Sequence, residues 1–300
     1  MLELYAYNAG RGDCIRLRFG SGRLHNIFID TGVSGFGLRF YEICSRIRES
    51  MDLLILTHAD EDHIGGILSC LRRGCRIPFR KAIMNGQASR YRDIPLSVRQ
   101  SSEVYNRLLA LGIPVEPAYA GDRLHMDGAE IEILSPGREE VQNVEEQTPL
   151  GWYEDYAESL EELARKPLML RDGSHENRKS IVVSFLYMGR RLLFTGDAWS
   201  DCITEAVPAG TGFDLIKMPH HGSVRNISEQ WPEKLKCRNF LICADGRRHP
   251  DKQTIAKLAS WYGQITVYSP ANWWSRGFLR EDEDTGKIRF EKKEGLVVKW

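Results

Sequence analysis

Apolar and polar residues alternate through the first thirty positions closely enough to predict strands over Leu2 to Tyr7, Cys14 to Phe19 and Leu24 to Asp30, with Gly20-Ser21-Gly22 as a hairpin turn. Such an opening is antiparallel. From Leu38 the apolar spacing becomes helical as far as Glu49. The run Asp52 to Leu56 then reads as a buried strand that leads straight into Thr57-His58, with a helix starting near Asp62 to Ile64. Polar residues at the C-terminal end of a buried strand occupy a favoured place for a site in layered α/β folds.

The same mixture continues. A strand is predicted over Lys81 to Met84, a helix over Val98 to Leu111, and strands over Arg123 to Leu124 and Ala129 to Leu134. Between Pro136 and Lys179 the composition turns polar and acidic, and we read about 137–178 as an insert, either a lid or a solvated helix. The pattern restarts with Ile181 to Tyr187, a turn at Met188-Gly189, and Arg190 to Phe194, a hairpin that ends on Thr195-Gly196-Asp197. Helix Trp199 to Ala206, strand Phe213 to Lys217, strand Asn239 to Cys243, helix Asp251 to Tyr262 and strand Ile265 to Tyr268 follow, and a charged extension begins at about 275. One elaborated domain over 1–300, of α/β (α+β) class, is the expectation.

Composition narrows the partners. Lys plus Arg and Asp plus Glu balance at 41 each, so nucleic-acid binding would need a local patch. No apolar run approaches the roughly 18 residues of a membrane span. The acidic start Met1-Leu2-Glu3 lacks the basic region of a signal peptide. The 7 cysteines, at 14, 44, 70, 75, 202, 237 and 243, form no CxxC pair, and we expect them reduced in a cytoplasmic protein with no membrane contact.

The segment Thr57-His58-Ala59-Asp60-Glu61-Asp62-His63-Ile64-Gly65-Gly66 carries the chemistry. Gathering its acids in one desolvated turn is unfavourable, because like charges at close range disfavour ionisation, and metal ions remove that conflict. No Ser-His-Asp order and no glycine-rich phosphate loop occurs elsewhere.

The arrangement His58-x-Asp60-x-Asp62-His63 followed by Gly65-Gly66 resembles the HxHxDH signature of the metallo-β-lactamase superfamily, with Asp in place of the second His. That variant is similar to the hydrolase domain of ComEC-type competence proteins. Gly12-Asp13-Cys14, Phe28-Ile29-Asp30-Thr31-Gly32, Asn177 to Ser180, Phe194-Thr195-Gly196-Asp197, Met218-Pro219-His220-His221-Gly222-Ser223 and His249-Pro250 fit the same subgroup in order, over roughly residues 1 to 270.

The resemblance implies a four-layer αββα sandwich and two divalent metal ions, zinc or manganese. Their ligands would be His58, Asp60, Asp62, His63, Asp197 and His221, with His220 as the alternative member of the pair. Asp30 would support the ligands from behind. The histidine that usually completes one metal site is replaced by the Asn177 and Ser180 of the subgroup, so that site is expected to be partial; His175 is the nearby substitute, with a surface role as its rival reading. Asp62, His220 and His249 are the candidate catalytic residues: Asp62 to orient water, His220 to contact substrate, His249 to protonate a leaving group or hold a phosphate. Lys217 is a candidate phosphate contact or a solvated strand end, and Ser223 a cap or a phosphate ligand.

The reaction class is hydrolysis, with a phosphodiester of DNA or RNA as the leading substrate. A small-molecule phosphodiester, or a partner-gated subunit of a bacterial defence complex, is the alternative. For nucleic acid, Arg72-Arg73, Arg76, Arg80-Lys81, Arg90 to Arg92 and Arg247-Arg248 are the candidate phosphate contacts, and Tyr268 and Trp273-Trp274 the candidate stacking surfaces.

Overall fold

The computed structural model describes residues 1–85, 96–139, 155–169, 171–276, 278, 282 and 286–300. The chain divides into two compact units, one of residues 1–118 with 294–300 and one of residues 119–293.

The first unit is built on a mixed seven-stranded sheet. Strands β1 (Leu2–Ala6), β2 (Ile15–Phe19) and β3 (His25–Ile29) form the antiparallel opening, and β4 (Ser50–Leu56), β5 (Ala82–Met84) and β6 (Val115–Glu116) add on in parallel. The parallel pairings require crossovers, which are the helices α1 (Gly37–Ser45), α2 (Glu61–Arg72) and α3 (Leu96–Ala110). Strand β4 is apolar and buried at nearly every position, as a parallel strand covered on both faces must be. Its one acid, Asp52, is accommodated by the Ser50 hydroxyl at 2.6 Å, His25 Nδ1 at 3.1 Å and the Asn26 amide at 3.3 Å. Helix α1 stops at Ser45, short of the expected Glu49, because residues 46–49 turn the chain into a strand that begins two residues earlier than the apolar pattern shows. Phe28, Phe40, Leu54, Ile64 and Val104 lie in this unit's core.

The second unit carries a mixed eight-stranded sheet. Strands β7 (Arg123–Met126), β8 (Ala129–Ser135), β9 (Val182–Tyr187) and β10 (Arg190–Phe194) are antiparallel, and the β9–β10 turn at Met188-Gly189 has positive φ at both residues, as a two-residue hairpin requires. Two short strands, β11 (Thr211–Gly212) and β13 (Leu235–Lys236), pair only with each other; β12 (Leu215–Lys217), β14 (Asn239–Leu241), β15 (Ile265–Ser269) and β16 (Ile288–Lys292) extend the main sheet in parallel from β10. The last strand, β17 (Gly295–Lys299), pairs with β1 in the first unit's sheet. Among the described residues its helices are α4 (Leu160–Arg165), α5 (His175–Arg178), α6 (Ser200–Ala206), α7 (Trp231–Lys234) and α8 (Lys252–Tyr262). Each unit is thus a multi-stranded sheet with helices, the mixed α/β class that the pattern predicts.

Of the acidic segment at 137–178, residues 140–154 and 170 lie outside the described residues. Within the part that follows, one helix has a buried face. Helix α4 is closed by a capping box between Ser159 and Glu162, and its Leu160 and Leu163 are buried in the same core as Ile255 and Leu258 of α8. The two acids of α4, Glu161 and Glu162, are exposed, which is why composition alone suggests a solvent-exposed segment.

Candidate metal-ligating residues

In the first unit, the polar turn after β4 is organised by Asp30, a fully buried residue in the left-handed region at φ 58°. One carboxylate oxygen accepts the Thr57 amide at 2.8 Å; the other accepts the Thr57 hydroxyl at 2.7 Å and His63 Nδ1 at 2.8 Å. The Thr57 hydroxyl lies 3.0 Å from His58 Nδ1. Because Thr57 spends its proton on Asp30, its oxygen is the acceptor for His58, and both imidazoles carry their proton on Nδ1. Each therefore presents the lone pair of Nε2, the tautomer that a carboxylate behind a histidine enforces at metal sites.

Two further carboxylates face these rings at distances too long for hydrogen bonds. Asp60 Oδ2 is 3.7 Å from His58 Nε2, and Asp13 Oδ2 is 3.8 Å from His63 Nδ1. Two donors about 2.0–2.2 Å from one ion are separated by roughly 3 to 3.5 Å, so the His58–Asp60 pair needs only a small contraction to share a cation. Asp62, at the first turn of α2, extends toward Arg11, whose Nε lies 3.3 Å from it while Nη2 lies 3.1 Å from Glu61. Glycines bring the supporting backbones together: a Cβ on Gly12 would lie 1.9 Å from the Asp62 carbonyl oxygen, and one on Gly66 the same distance from that of Thr31.

In the second unit, Asp197 follows β10 and the histidine pair follows β12. His220 and His221 both adopt positive φ, 44° and 55°. His221 donates or accepts through Nδ1 at 2.8 Å from the Cys243 carbonyl; a carbonyl only accepts, so Nδ1 carries the proton and Nε2, 3.6 Å from Asp197 Oδ2, carries the lone pair. His220 Nε2 is 3.8 Å from the same Asp197 oxygen, while its Nδ1 faces Asp172 at 3.3 Å and Asn226 Oδ1 at 3.2 Å. Asp172 also accepts the side-chain amides of Asn177 at 2.7 Å and Asn226 at 2.8 Å, and Ser180 Oγ accepts the Asp197 amide at 3.1 Å.

Charge separates the two candidate proton-transfer histidines. Burial alone would depress His220, but the charge of Asp197 and the bond to Asp172 outweigh it and raise the imidazole to about 9. Burial pushes His249 down to about 3, helped by the neighbouring charge of His220. The two rings lie 4.9 Å apart, and of the pair it is His220 that favours the proton at neutral pH.

The other candidate residues have defined surroundings. Lys217 is buried rather than solvated: its Nζ donates to the Gly196 carbonyl at 2.9 Å and bridges the turn that carries Asp197, so it is not placed to meet a phosphate. Ser223 accepts the Arg225 amide and caps a short turn. His175 lies beside Trp199, with ring centroids 5.9 Å apart. Trp273 is buried and Trp274 stacks on Phe290 at 5.0 Å, so the pair belongs to the core. Arg72 is held by Glu103, Arg80 faces Asp52 and Arg247 faces Asp245; Arg90 to Arg92 lie outside the described residues. Asp13, Asp172 and Asn226 were not among the predicted site residues. The signal for Asp13 was its place in the Gly12-Asp13-Cys14 motif; Asp172 and Asn226 sit in stretches whose composition is ordinary.

No protein-family model matches the chain. It is 24% identical over 214 residues to ComE operon protein 3 of Bacillus subtilis (strain 168), an alignment that covers 70% of this chain and 22% of that protein, so the chain spans about a fifth of its curated relative's length. Among solved structures, zinc-bound PqqB from Methylobacterium extorquens aligns with TM-score 0.47 at 12% identity, over 95% of this chain and 87% of the other. The metallo-β-lactamase fold protein YhfI from Bacillus subtilis aligns with TM-score 0.46 at 11% identity, over 99% and 100%. A diphosphatase of the PhnP family aligns with TM-score 0.47 at 10% identity, over 100% and 98%. Among the described residues no helix is long and apolar enough to cross a membrane.

Proposed function

We propose that the chain is a metal-dependent hydrolase of phosphodiester bonds in the metallo-β-lactamase fold. Its divalent ions, zinc or manganese, would be held by His58, Asp60, Asp62, His63, Asp197 and His221. The observation that carries this reading is the common state of three histidines: His58, His63 and His221 each have Nδ1 committed to an oxygen, which leaves Nε2 as the lone-pair nitrogen, and that of His58 and of His221 faces a carboxylate. Imidazole nitrogens mixed with carboxylates suit zinc, and the share of oxygen donors suits manganese. Bound ions would acidify water and neutralise charge developing on a phosphoryl oxygen. The protein's own residues orient the ligands through Asp30, Thr57 and the Cys243 carbonyl, and His220 offers a proton or a hydrogen bond to an anionic substrate.

The similarity to ComEC-type hydrolase domains supports a phosphodiester, with a polynucleotide as the first candidate. A compact diester is the second reading, favoured by the acidic partners of Arg72, Arg80 and Arg247 and by the packing of Trp274 into the core. None of the 7 cysteines forms a disulfide, which supports a reducing, cytoplasmic setting.

The test is hydrolysis of labelled single- and double-stranded DNA, RNA and bis(p-nitrophenyl) phosphate with manganese, with zinc and with chelator. We expect metal-dependent turnover that Asp62→Ala/His63→Ala abolishes; turnover retained in that double variant overturns the proposal. Cleavage of only the small diester selects the compact substrate.

A further inference from the structure

Helix α8 starts in an unusual way. Asp251 occupies its N-cap position with extended backbone, φ −72° and ψ 138°, and aspartate is among the best residues there because its carboxylate accepts the helix's first amides. Yet Asp251 makes no such bond. Its Oδ2 instead accepts the amide of Val224 at 2.7 Å, and its own amide donates to the Gly222 carbonyl at 3.2 Å.

The vacated cap is filled from a distant part of the chain. Asp155, buried at 1% exposure, accepts the Lys252 amide at 2.9 Å through one oxygen and the Gln253 amide at 2.5 Å through the other. The next residue seconds it, with the Tyr156 hydroxyl donating to the Pro250 carbonyl at 2.8 Å. Buried Lys252 pins the same stretch through the Glu158 carbonyl at 2.5 Å, and its ammonium also pairs with Asp282 at 2.7 Å.

The loop that Asp251 holds is the one in greatest need of holding. His220 and His221 lie in succession in the left-handed region, which non-glycine residues adopt only where neighbours enforce it. Within the loop the Ser223 amide donates back to the His220 carbonyl at 2.9 Å, and the next amide, that of Val224, is the one secured by Asp251.

We propose that Asp155 is a positioning residue for the histidine-pair loop: by capping α8 in trans, it leaves Asp251 to fasten residues 220–224 and so to hold His221 in ligand geometry. Without Asp155, the carboxylate of Asp251 returns to the amides of its own helix, which lie closest to it in sequence, and Val224 is released. The role rests on reading His221 as a metal ligand.

The test compares wild type, Asp155→Ala and Asp155→Asn by amide hydrogen exchange in the metal-free protein, following 251–254 and 219–226 separately, and by zinc affinity in chelator competition. In Asp155→Ala we expect faster exchange in both segments and zinc affinity lower by about ten-fold or more, the range seen when groups behind a ligand are changed. Asp155→Asn keeps one acceptor oxygen and should recover part of both effects. Should Asp155→Ala fail to fold, the Asn variant alone decides by the same comparison. Faster exchange confined to 251–254, with zinc affinity unchanged, would show a plain helix cap and overturn the proposal. A wild type that takes up no zinc refutes His221 as a ligand, and the exchange at Val224 then still decides whether Asp155 holds the loop.

Discussion

Substituting Asp30 by Asn tests the organisation of the first donor set with the smallest change in volume. The carboxylate accepts three hydrogen bonds in a fully buried place: Thr57 N at 2.8 Å, Thr57 Oγ1 at 2.7 Å and His63 Nδ1 at 2.8 Å. An amide keeps one acceptor oxygen, which can serve the Thr57 amide, and places two N–H donors where the hydroxyl and the imidazole N–H already point. Bonds to a charged acceptor contribute about 1.5–3 kcal/mol each, and a buried donor left facing a donor costs about 1–3 kcal/mol. Relaxation of the Thr57 hydroxyl, which can rotate to donate elsewhere, offsets part of this, leaving an expected destabilisation of about 2–4 kcal/mol. The effect on metal binding is separate. The His63 ring loses the partner that keeps its proton on Nδ1, and zinc affinity should fall by about 10- to 100-fold. Urea denaturation of the metal-free protein reads the first quantity and chelator competition the second. Lost stability with unchanged affinity would refute the claim that Asp30 sets the His63 tautomer for metal binding.

Two further outcomes follow from the same unit. Gly66→Ala puts a methyl group 1.9 Å from the Thr31 carbonyl oxygen, a backbone atom that cannot rotate away, so α2 must shift; we expect a loss of about 3 kcal/mol in urea denaturation, and a variant as stable as wild type would contradict the close packing. Glu3 is opposed by burial, but bonds from Arg18, Tyr5 and Lys299 outweigh that and hold its carboxyl below 4.5. Its folded value being depressed, its contribution is present above pH 4.5 and is lost as pH falls below that value. Arg18→Gln should therefore destabilise by about 1–2 kcal/mol at pH 6 and by less near pH 3, and a gap between the two proteins that grows on acidification would refute the assignment.

The chain pattern alone determined a good deal here. Strand β4 ending on Thr57-His58, the β9–β10 hairpin ending on Asp197, and the succession of parallel strands and helices were legible because each rests on local periodicity and on turn residues such as Gly189. The candidate donors of residues 58–63 stood out because four of them fall within six positions. That one face of helix α4 is buried was not legible, because its two exposed acids, Glu161 and Glu162, lie between its two buried leucines, Leu160 and Leu163. What only the tertiary structure decided concerns polar groups whose partners lie far away along the chain: Lys217 bridging to Gly196, Asp172 gathering Asn177, Asn226 and His220, and Asp155 capping a helix that begins at Lys252. The reason is physical. A buried carboxylate or ammonium is stable only with specific hydrogen-bond partners, and which partners reach it is set by strand adjacency and helix docking, which no local period encodes.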